Sequence, residues 1–441
     1  MTAESMDARP IDPVSRDADL ELRLRARRAA IAGGVGTLIE YYDFSLYGYL
    51  AIVMAPLFFH SDSAATSLLS ALAVFGTAYL MRPLGGLAFG YIGDRFGRRR
   101  ALLGTLMCMG VGSVAMGLLP TYEQAGVWAV ILLVIIRLLQ GFSAGGEVGG
   151  SATFISESAP KHLKATYAAF TPLGSTFGFG LAAAAAGAVS LITTDAQMNS
   201  WGWRLPFLLA LPLMVVCLWA RRRVDETYLP DETEVRERPL LTLFRTHSRA
   251  VAQAVGLSLA INGTAYICLT YMSIHLTKTL GYDRTAVYWI SFGVLVISAL
   301  GMLVGGRLAD RFGRVRITAV SLVFISVVSY PAMAGMDLNL RTAAILYLLM
   351  MLSTVGIQVG VLTLMPLLFD QNVRFTGVAT SYNIGVIIAG GSAPLIAVSL
   401  VEWTGDNRAP AYFVMAVAAI GLLSLLSITR KSAVSARHSA T

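Results

Sequence analysis

Two short stretches place ionisable side chains among apolar neighbours. RLLQGFSAGGEVGG, Arg137 to Gly150, carries Arg137, Gln140 and Glu147, and IEYYDFSLYGY, Ile39 to Tyr49, carries Glu40 and Asp43 with Tyr41, Tyr42 and Tyr47. A carboxylate beside a guanidinium is held ionised, and a proton on that carboxylate releases the guanidinium. Such a pair therefore gives proton binding a second structural state to favour. If these stretches lie within a membrane, each charge costs about 2.5–3.5 kcal/mol at the helix centre on insertion scales, so each must face the protein interior and find a partner.

The surrounding chain supplies that setting. Of 441 residues, 56% are hydrophobic and 14% charged, against roughly 25% charged in a soluble domain. Apolar runs long enough to cross about 30 Å of hydrocarbon as helix recur along the whole length. They predict twelve spans: 29–57, 67–91, 101–119, 126–155, 164–192, 204–220, 250–277, 284–306, 316–335, 341–368, 374–400 and 409–429. The expected fold is an all-α integral membrane protein, with a cytoplasmic N-terminal tail at 1–28, a six-helix bundle at 29–220, a cytoplasmic linker at 221–249, a second six-helix bundle at 250–429 and a cytoplasmic tail at 430–441.

Charge placement sets the expected orientation. The first 28 residues are polar and end in RLRARR, and the run behind them is too long and too acidic for a signal segment. Of the 34 Lys and Arg, this topology puts 27 in cytoplasmic segments, 5 at the outer side (Arg204, Lys278, Arg284, Arg341, Arg408) and 2 inside spans, Arg82 and Arg137. That distribution obeys the positive-inside rule with both termini in the cytoplasm of a cell-membrane protein. The net charge of +8 is then a topology signal, and no nucleic-acid partner is expected.

The chain also repeats itself. GYIGDRFGRRR, Gly90 to Arg100, follows span 2, and GRLADRFGRVR, Gly306 to Arg316, follows span 8. The shared form G-x-x-x-D-R-F-G-R, half a chain apart, predicts a duplicated six-span unit with two gating loops. Their members are Gly90, Asp94, Arg95, Gly97 and Arg98 in the first and Gly306, Asp310, Arg311, Gly313 and Arg314 in the second. The glycines allow close helix approach, the aspartate can cap a helix start, and the arginines can reach helix ends or lipid head groups. Val315 stands where the first loop has Arg99, which predicts a weaker second latch.

These loops resemble the signature of the major facilitator superfamily. RLLQGFSAGGEVGG and IEYYDFSLYGY, with MRPLGG in span 2, WGWRLPF at the start of span 6 and VRFTGVATSYNIGVIIAGGSAPLI in span 11, resemble its metabolite:proton symporter family, which includes carriers of citrate, 2-oxoglutarate, shikimate, and proline or betaine. The resemblance covers nearly the whole chain. It implies two pseudo-symmetric six-helix bundles, alternating access, a proton as coupling ion, a small organic metabolite as substrate and a monomer in the bilayer. The tail after Arg430 is too short for the coiled coil of some osmosensory members, so sensing by that device is not expected.

Depth sorts the charges. Arg137 lies about 11 residues, roughly 16 Å, from the outer end of span 4, and Asp43 about 14 residues, roughly 21 Å, from that of span 1. The expected pair is Asp43 with Arg137, with Glu40, one turn away on the same face, as the other partner for Arg137. Glu147 is roughly 15 Å from Arg137 along the axis and needs a partner elsewhere, either in proton coupling or as a brace to Arg82 or a basic loop. Arg82 is expected to brace or to bind an anion. Gly141, Gly145 and Gly149 recur every fourth residue, a stripe along which another helix backbone can come close.

Further candidates for substrate contact are polar or aromatic at mid-depth: Tyr41, Tyr42 and Tyr47, Gln140, Thr171 and Ser175, Asn262 and Tyr266, Gln358, and Tyr382 with Asn383. The alternative role for each is hydrogen bonding between helices. His275, near an outer end, reads as interfacial. Cys108, Cys217 and Cys268 lack disulfide or metal spacing and read as small core residues, so no metal or cofactor is expected.

No GxxxxGK[ST] loop or HExxH pair is present, and the loops are too short for a catalytic domain, so neither an enzyme nor an ATP-driven pump is expected. The reading is a proton-coupled importer of a carboxylate or zwitterion. Two intramembrane cations favour a shikimate-like acid, proline or betaine over a di- or tricarboxylate. The alternatives are a proton-driven exporter of a metabolite or drug and a non-transporting receptor on the same fold.

Overall fold

Hydrocarbon offers no hydrogen-bond partners, so a spanning segment must satisfy its own backbone, and apolar runs of this length do so as helices. The computed structural model describes residues 13–61, 63–96, 98–145, 163–212, 214–215, 239–370 and 373–438, and among these every regular element is helical. Nine helices among the described residues are long and apolar enough to cross a membrane. The other three spans begin in Pro13–Phe58, Arg98–Gly117 and Arg204–Leu208. The fold is the twelve-helix arrangement the sequence predicts.

Several bounds differ from expectation. Span 1 belongs to one helix, Pro13–Phe58, because DADLELRLRARRAA is rich in Leu, Arg and Ala, which favour helix even outside the membrane. Span 12 likewise continues to His438. Spans 8 and 9, Arg284–Phe312 and Arg314–Gly335, are separated by Gly313 alone, whose φ of 93° suits glycine and turns the chain. Residues 146–162, which hold Glu147 and Gly149, lie outside the described residues, as do Gly97 and most of the expected linker.

The packing repeats with the sequence. Span 1 packs on span 5 as span 7 packs on span 11, span 2 on span 4 as 8 on 10, and span 3 on span 6 as 9 on 12. The contacts between halves, span 5 on span 8 and span 2 on span 11, also exchange under a shift of six helices. The duplicated loops therefore belong to a duplicated bundle.

The small-residue stripe of span 4 sets its distance to span 2. A Cβ on Gly141 would strike the carbonyl of Ala78, and one on Gly145 the carbonyl of Arg82. The predicted close approach is present, and it carries Arg82 into the interior. Spans 7 and 11 are interrupted by π-helical turns at Ile267–Tyr271 and Val386–Gly391. Such turns rotate the side chains that flank them, here Tyr266 and, four residues upstream, Tyr382.

Candidate functional site

Asp43 and Arg137 are both buried, on neighbouring helices, and do not touch directly. Gln140, one turn below Arg137, donates its amide to Asp43 Oδ2 at 3.1 Å and accepts from Arg137 Nη1 at 3.0 Å. The expected direct ion pair is thus replaced by a bridged one. The correction has a geometric cause: Asp43 is also bound by Ser113 Oγ of span 3, which draws the carboxylate toward span 3, and Gln140 donates to that hydroxyl too, at 3.4 Å.

Arg137 is fully buried and lies over three rings, with its guanidinium carbon 4.6 Å from the Phe44 centroid, 4.5 Å from Tyr47 and 5.3 Å from Phe75. Its remaining bond is a long one from Nη2 to the Phe75 carbonyl, 3.5 Å. Ring faces can hold a desolvated guanidinium in place of water. That explains how Arg137 stays buried beside a carboxylate it does not contact.

Glu40 does not serve as the partner of Arg137. It pairs instead with Arg82, Oε1 to Nη2 at 3.5 Å, both buried. Arg82 stands over Tyr79 at 4.9 Å, Phe44 at 5.0 Å and Tyr41 at 5.8 Å, and none of its three nitrogens donates a hydrogen bond among the described residues. Phe44 is therefore shared by two buried guanidinium groups.

One cavity of about 50 Å³ lies between the halves. From the first half it is lined by Glu40, Tyr41, Thr171 and Ser175, and from the second by Asn262, Tyr266, Gln358 and Tyr382. Seven of the expected substrate-contact candidates thus meet at one place. Thr171 Oγ1 has no hydrogen-bond partner among the described residues. Asn262 donates to the Ser258 carbonyl at 2.9 Å and Gln358 to Thr354 Oγ1 at 3.1 Å, bonds that orient both amides.

The other candidates lie elsewhere. Tyr47 donates to the Ala71 carbonyl and braces Arg137, Gln140 is the bridge, and Asn383 is buried away from the cavity lining with its Oδ1 unpartnered. Tyr42 lines a second, smaller cavity and donates to the Pro206 carbonyl. His275 is fully buried in the π-helical turn His275–Thr279, near the end of span 7. Cys268 is buried, Cys108 is partly buried, and both are free; Cys217 lies outside the described residues.

Sequence reasoning missed Ser113, Phe44, Phe75 and Tyr79. The aromatic ones were visible only as apolar residues of spans 1 and 2, but a lone hydroxyl in VGSVAMG was a usable signal. GFSAG, Gly141 to Gly145, matches the letters G-x-S-x-G. That pattern needs a strand-to-helix turn, whereas Ser143 sits inside helix Val127–Gly145 and donates to the Thr105 carbonyl at 2.5 Å.

Of the gating loops, the second is described in full. Asp310 accepts from the backbone of Ala165 and Thr166, both at 2.9 Å, and from Thr166 Oγ1 at 2.8 Å. It caps the start of span 5, in the opposite half, where the helix dipole favours a carboxylate. Gly306 permits the approach, since a Cβ there would lie 2.9 Å from Thr166 Cα. Arg314 donates to the Thr363 carbonyl at 3.4 Å, while Arg311 lies over Phe312. The contact with span 5 is made by Asp310, while Val315 packs against the core. In the first loop Arg95 donates to the Tyr91 hydroxyl at 2.5 Å; Gly90 lies within helix Ala64–Phe96, and the side chains of Asp94 and Arg98 lie outside the described residues.

At the other end, Tyr288 donates to the Tyr49 carbonyl and Tyr49 to that of Leu269, each at 2.8 Å, and Arg284 pairs with Asp195 at 2.7 Å. Contacts between the halves therefore lie toward both ends of the described helices. In WGWRLPF, Arg204 donates to the carbonyls of Gly117 and Leu119, at 3.1 and 2.5 Å. This satisfies orphan acceptors at the end of helix Arg98–Gly117.

The family model of the Major Facilitator Superfamily matches residues 34–383 and 255–440. The chain is 34% identical over 427 residues to the proline/betaine transporter of Salmonella typhimurium, covering 92% of this chain and 83% of that one. To the shikimate transporter of Escherichia coli it is 34% identical over 395 residues, covering 87% and 90%. The xylose transporter XylE from E. coli, solved in a partially occluded inward-open conformation, superposes with a TM-score of 0.70 at 16% identity over 92% of this chain and 97% of that one. By its helix order, its duplicated loops and these matches, the chain belongs to the major facilitator superfamily and is a metabolite transporter, not an enzyme.

Proposed function

We propose that this transporter imports a small zwitterionic or monocarboxylate metabolite together with a proton, by alternating access. The observation that carries the reading is Glu40: it lines the cavity between the halves while paired with Arg82, one helical turn from the Asp43–Gln140–Arg137 bridge. A solute in the cavity meets one carboxylate, with a single cation behind it, among the phenols of Tyr41, Tyr266 and Tyr382. That set suits a molecule with one positive and one negative group, because a cation can sit on ring faces near a carboxylate and its carboxylate can draw on Arg82. A tricarboxylate would need more cations. Relatives named for proline, betaine and shikimate support the same class.

In this scheme the solute enters from outside, protonation of Asp43 loosens its bond to Gln140 and so frees Arg137, and the Asp310 latch opens the cytoplasmic gate. The two bundles, 29–220 and 250–429, move about the 221–249 linker, with both termini cytoplasmic in the cell membrane and the monomer as working unit. The test is uptake into proteoliposomes of labelled proline, glycine betaine, shikimate, 2-oxoglutarate and citrate. Accumulation of a zwitterion or monocarboxylate under an inward proton gradient, abolished when the gradient collapses, is expected. Efflux driven by that gradient would make the chain an exporter, and binding without flux would make it a receptor.

A further inference from the structure

A second cavity, inside the N-terminal half, has mostly apolar walls, among them Leu106, Met109 and Ala210, into which Asp43, Ser113, Thr105, Ser143 and Glu40 bring polar groups. Its walls come from spans 1, 3, 4 and 6, and among the described residues none of the C-terminal half lines it. Among the described residues Glu40 alone lines both cavities. Asp43 lines only the inner one, so the carboxylate assigned to the proton does not face the solute.

We infer that this inner cavity is a separate route for the proton, running through the N-terminal half past Ser113, with Glu40 as the one side chain that both proton and solute reach. The inference rests on the proton-symport reading above. Its depth follows from the helices: Thr105 is 12 residues, roughly 18 Å, from the outer end of helix Arg98–Gly117, and Ser143 is 16 residues, roughly 24 Å, from the outer start of helix Val127–Gly145 by the helical rise. Both belong to the side assigned to the cytoplasm. The cavity thus extends from the mid-depth carboxylate toward that side.

The chemistry is one balanced transfer. Protonated Asp43 gives its proton to a water in the inner cavity, leaving carboxylate and hydronium, and the carboxylate then recovers the hydrogen bonds from Ser113 and Gln140 that hold it charged. Ser113 is a positioning residue: it binds Asp43 and is itself an acceptor for Gln140. Met214 of span 6 closes the wall opposite Gly110, where a Cβ would collide with its sulfur. The solute, in contrast, meets Asn262 and Gln358 on the far side of Glu40.

Two reconstituted variants test this on the five labelled compounds above. Ser113→Ala removes one oxygen and keeps the packing, and Ala210→Leu fills the inner cavity. Each is read by gradient-driven uptake and by exchange of labelled for unlabelled solute at equal pH, which needs no net proton movement and also reports a folded protein. The expected result for Ser113→Ala is uptake down about tenfold, the worth of one hydrogen bond to a charged group, with exchange lowered by much less. Ala210→Leu should behave alike, and Asn262→Ala should lower both rates. If Ser113→Ala lowers exchange as much as uptake, or neither, the separate route is wrong while symport stands. If the wild type exchanges solute but no gradient drives uptake, or moves none of the five, the symport reading falls and this inference with it.

Discussion

Asp43 and Arg137 face each other across Gln140, which donates to the carboxylate at 3.1 Å and accepts from the guanidinium at 3.0 Å. A side-chain amide placed this way is fully used: one end binds the base, the other the cation. It also makes the pair easier to separate than a direct salt bridge, because protonating Asp43 weakens a single charge-assisted bond, not a bidentate contact.

The bridge predicts a specific defect in Gln140→Ala. Gradient-driven uptake should fall about tenfold, as expected for a lost hydrogen bond to a charged group. Gln140→Glu should fare worse, since it sets a second carboxylate against Asp43. Initial rates with and without a gradient measure both, and a Gln140→Ala variant as coupled as the wild type would remove Gln140 from the account.

Arg82 and Glu40 predict a stability effect. Glu40→Gln leaves a buried guanidinium with rings as its only described company, and breaking a buried pair from one side costs about 3–5 kcal/mol. Arg82→Met with Glu40→Gln removes the charge as well and should recover most of the loss. Thermal unfolding in detergent decides; equal melting of the single and double variants would contradict it.

The cavity between the halves predicts affinity effects. Asn262→Ala and Gln358→Ala should each raise KM about tenfold, as for a lost hydrogen bond to a charged solute group, with less change in kcat. Tyr47→Phe should leave KM near the wild-type value, since Tyr47 braces Arg137 and lies off the cavity. A Tyr47→Phe variant with the larger KM change would misplace the binding site.

Much of this was legible in the sequence because membrane helices obey simple constraints. Hydropathy gives the twelve spans, the repeated G-x-x-x-D-R-F-G-R gives the duplication, and the Gly141 and Gly145 stripe gives the close approach of span 2. Seven cavity residues were identified from polarity and depth alone. Partner choice was not legible. Depth placed Asp43 and Arg137 together, yet a shift of a few ångströms toward Ser113 decides that Gln140 lies between them, and no periodicity encodes that shift. The pairing of Glu40 with Arg82 was hidden for the same reason: the rotation of span 2 against span 1 depends on packing of Phe44 and Tyr79. That Asp310 caps span 5, not a helix of its own hairpin, depends on contact between halves, beyond the reach of a local motif.

Asp310 predicts a conformational effect. Asp310→Ala removes a cap worth about 1 kcal/mol in ordinary helices and should open the side on which the latch lies. A Thr171→Cys reporter, in a background without Cys108, Cys217 and Cys268, should then react faster with a membrane-impermeant thiol reagent applied from the cytoplasmic side. Unchanged labelling would mean that the cap holds a helix end and no gate.

The central claim is that the carboxylate of Asp43 couples proton to solute, and the most direct measurement is accumulation by Asp43→Asn in proteoliposomes under an inward proton gradient, beside exchange at equal pH. The account predicts a variant that exchanges solute and equilibrates it but no longer concentrates it. Concentration at the wild-type level by Asp43→Asn would contradict the account and move the proton to another group.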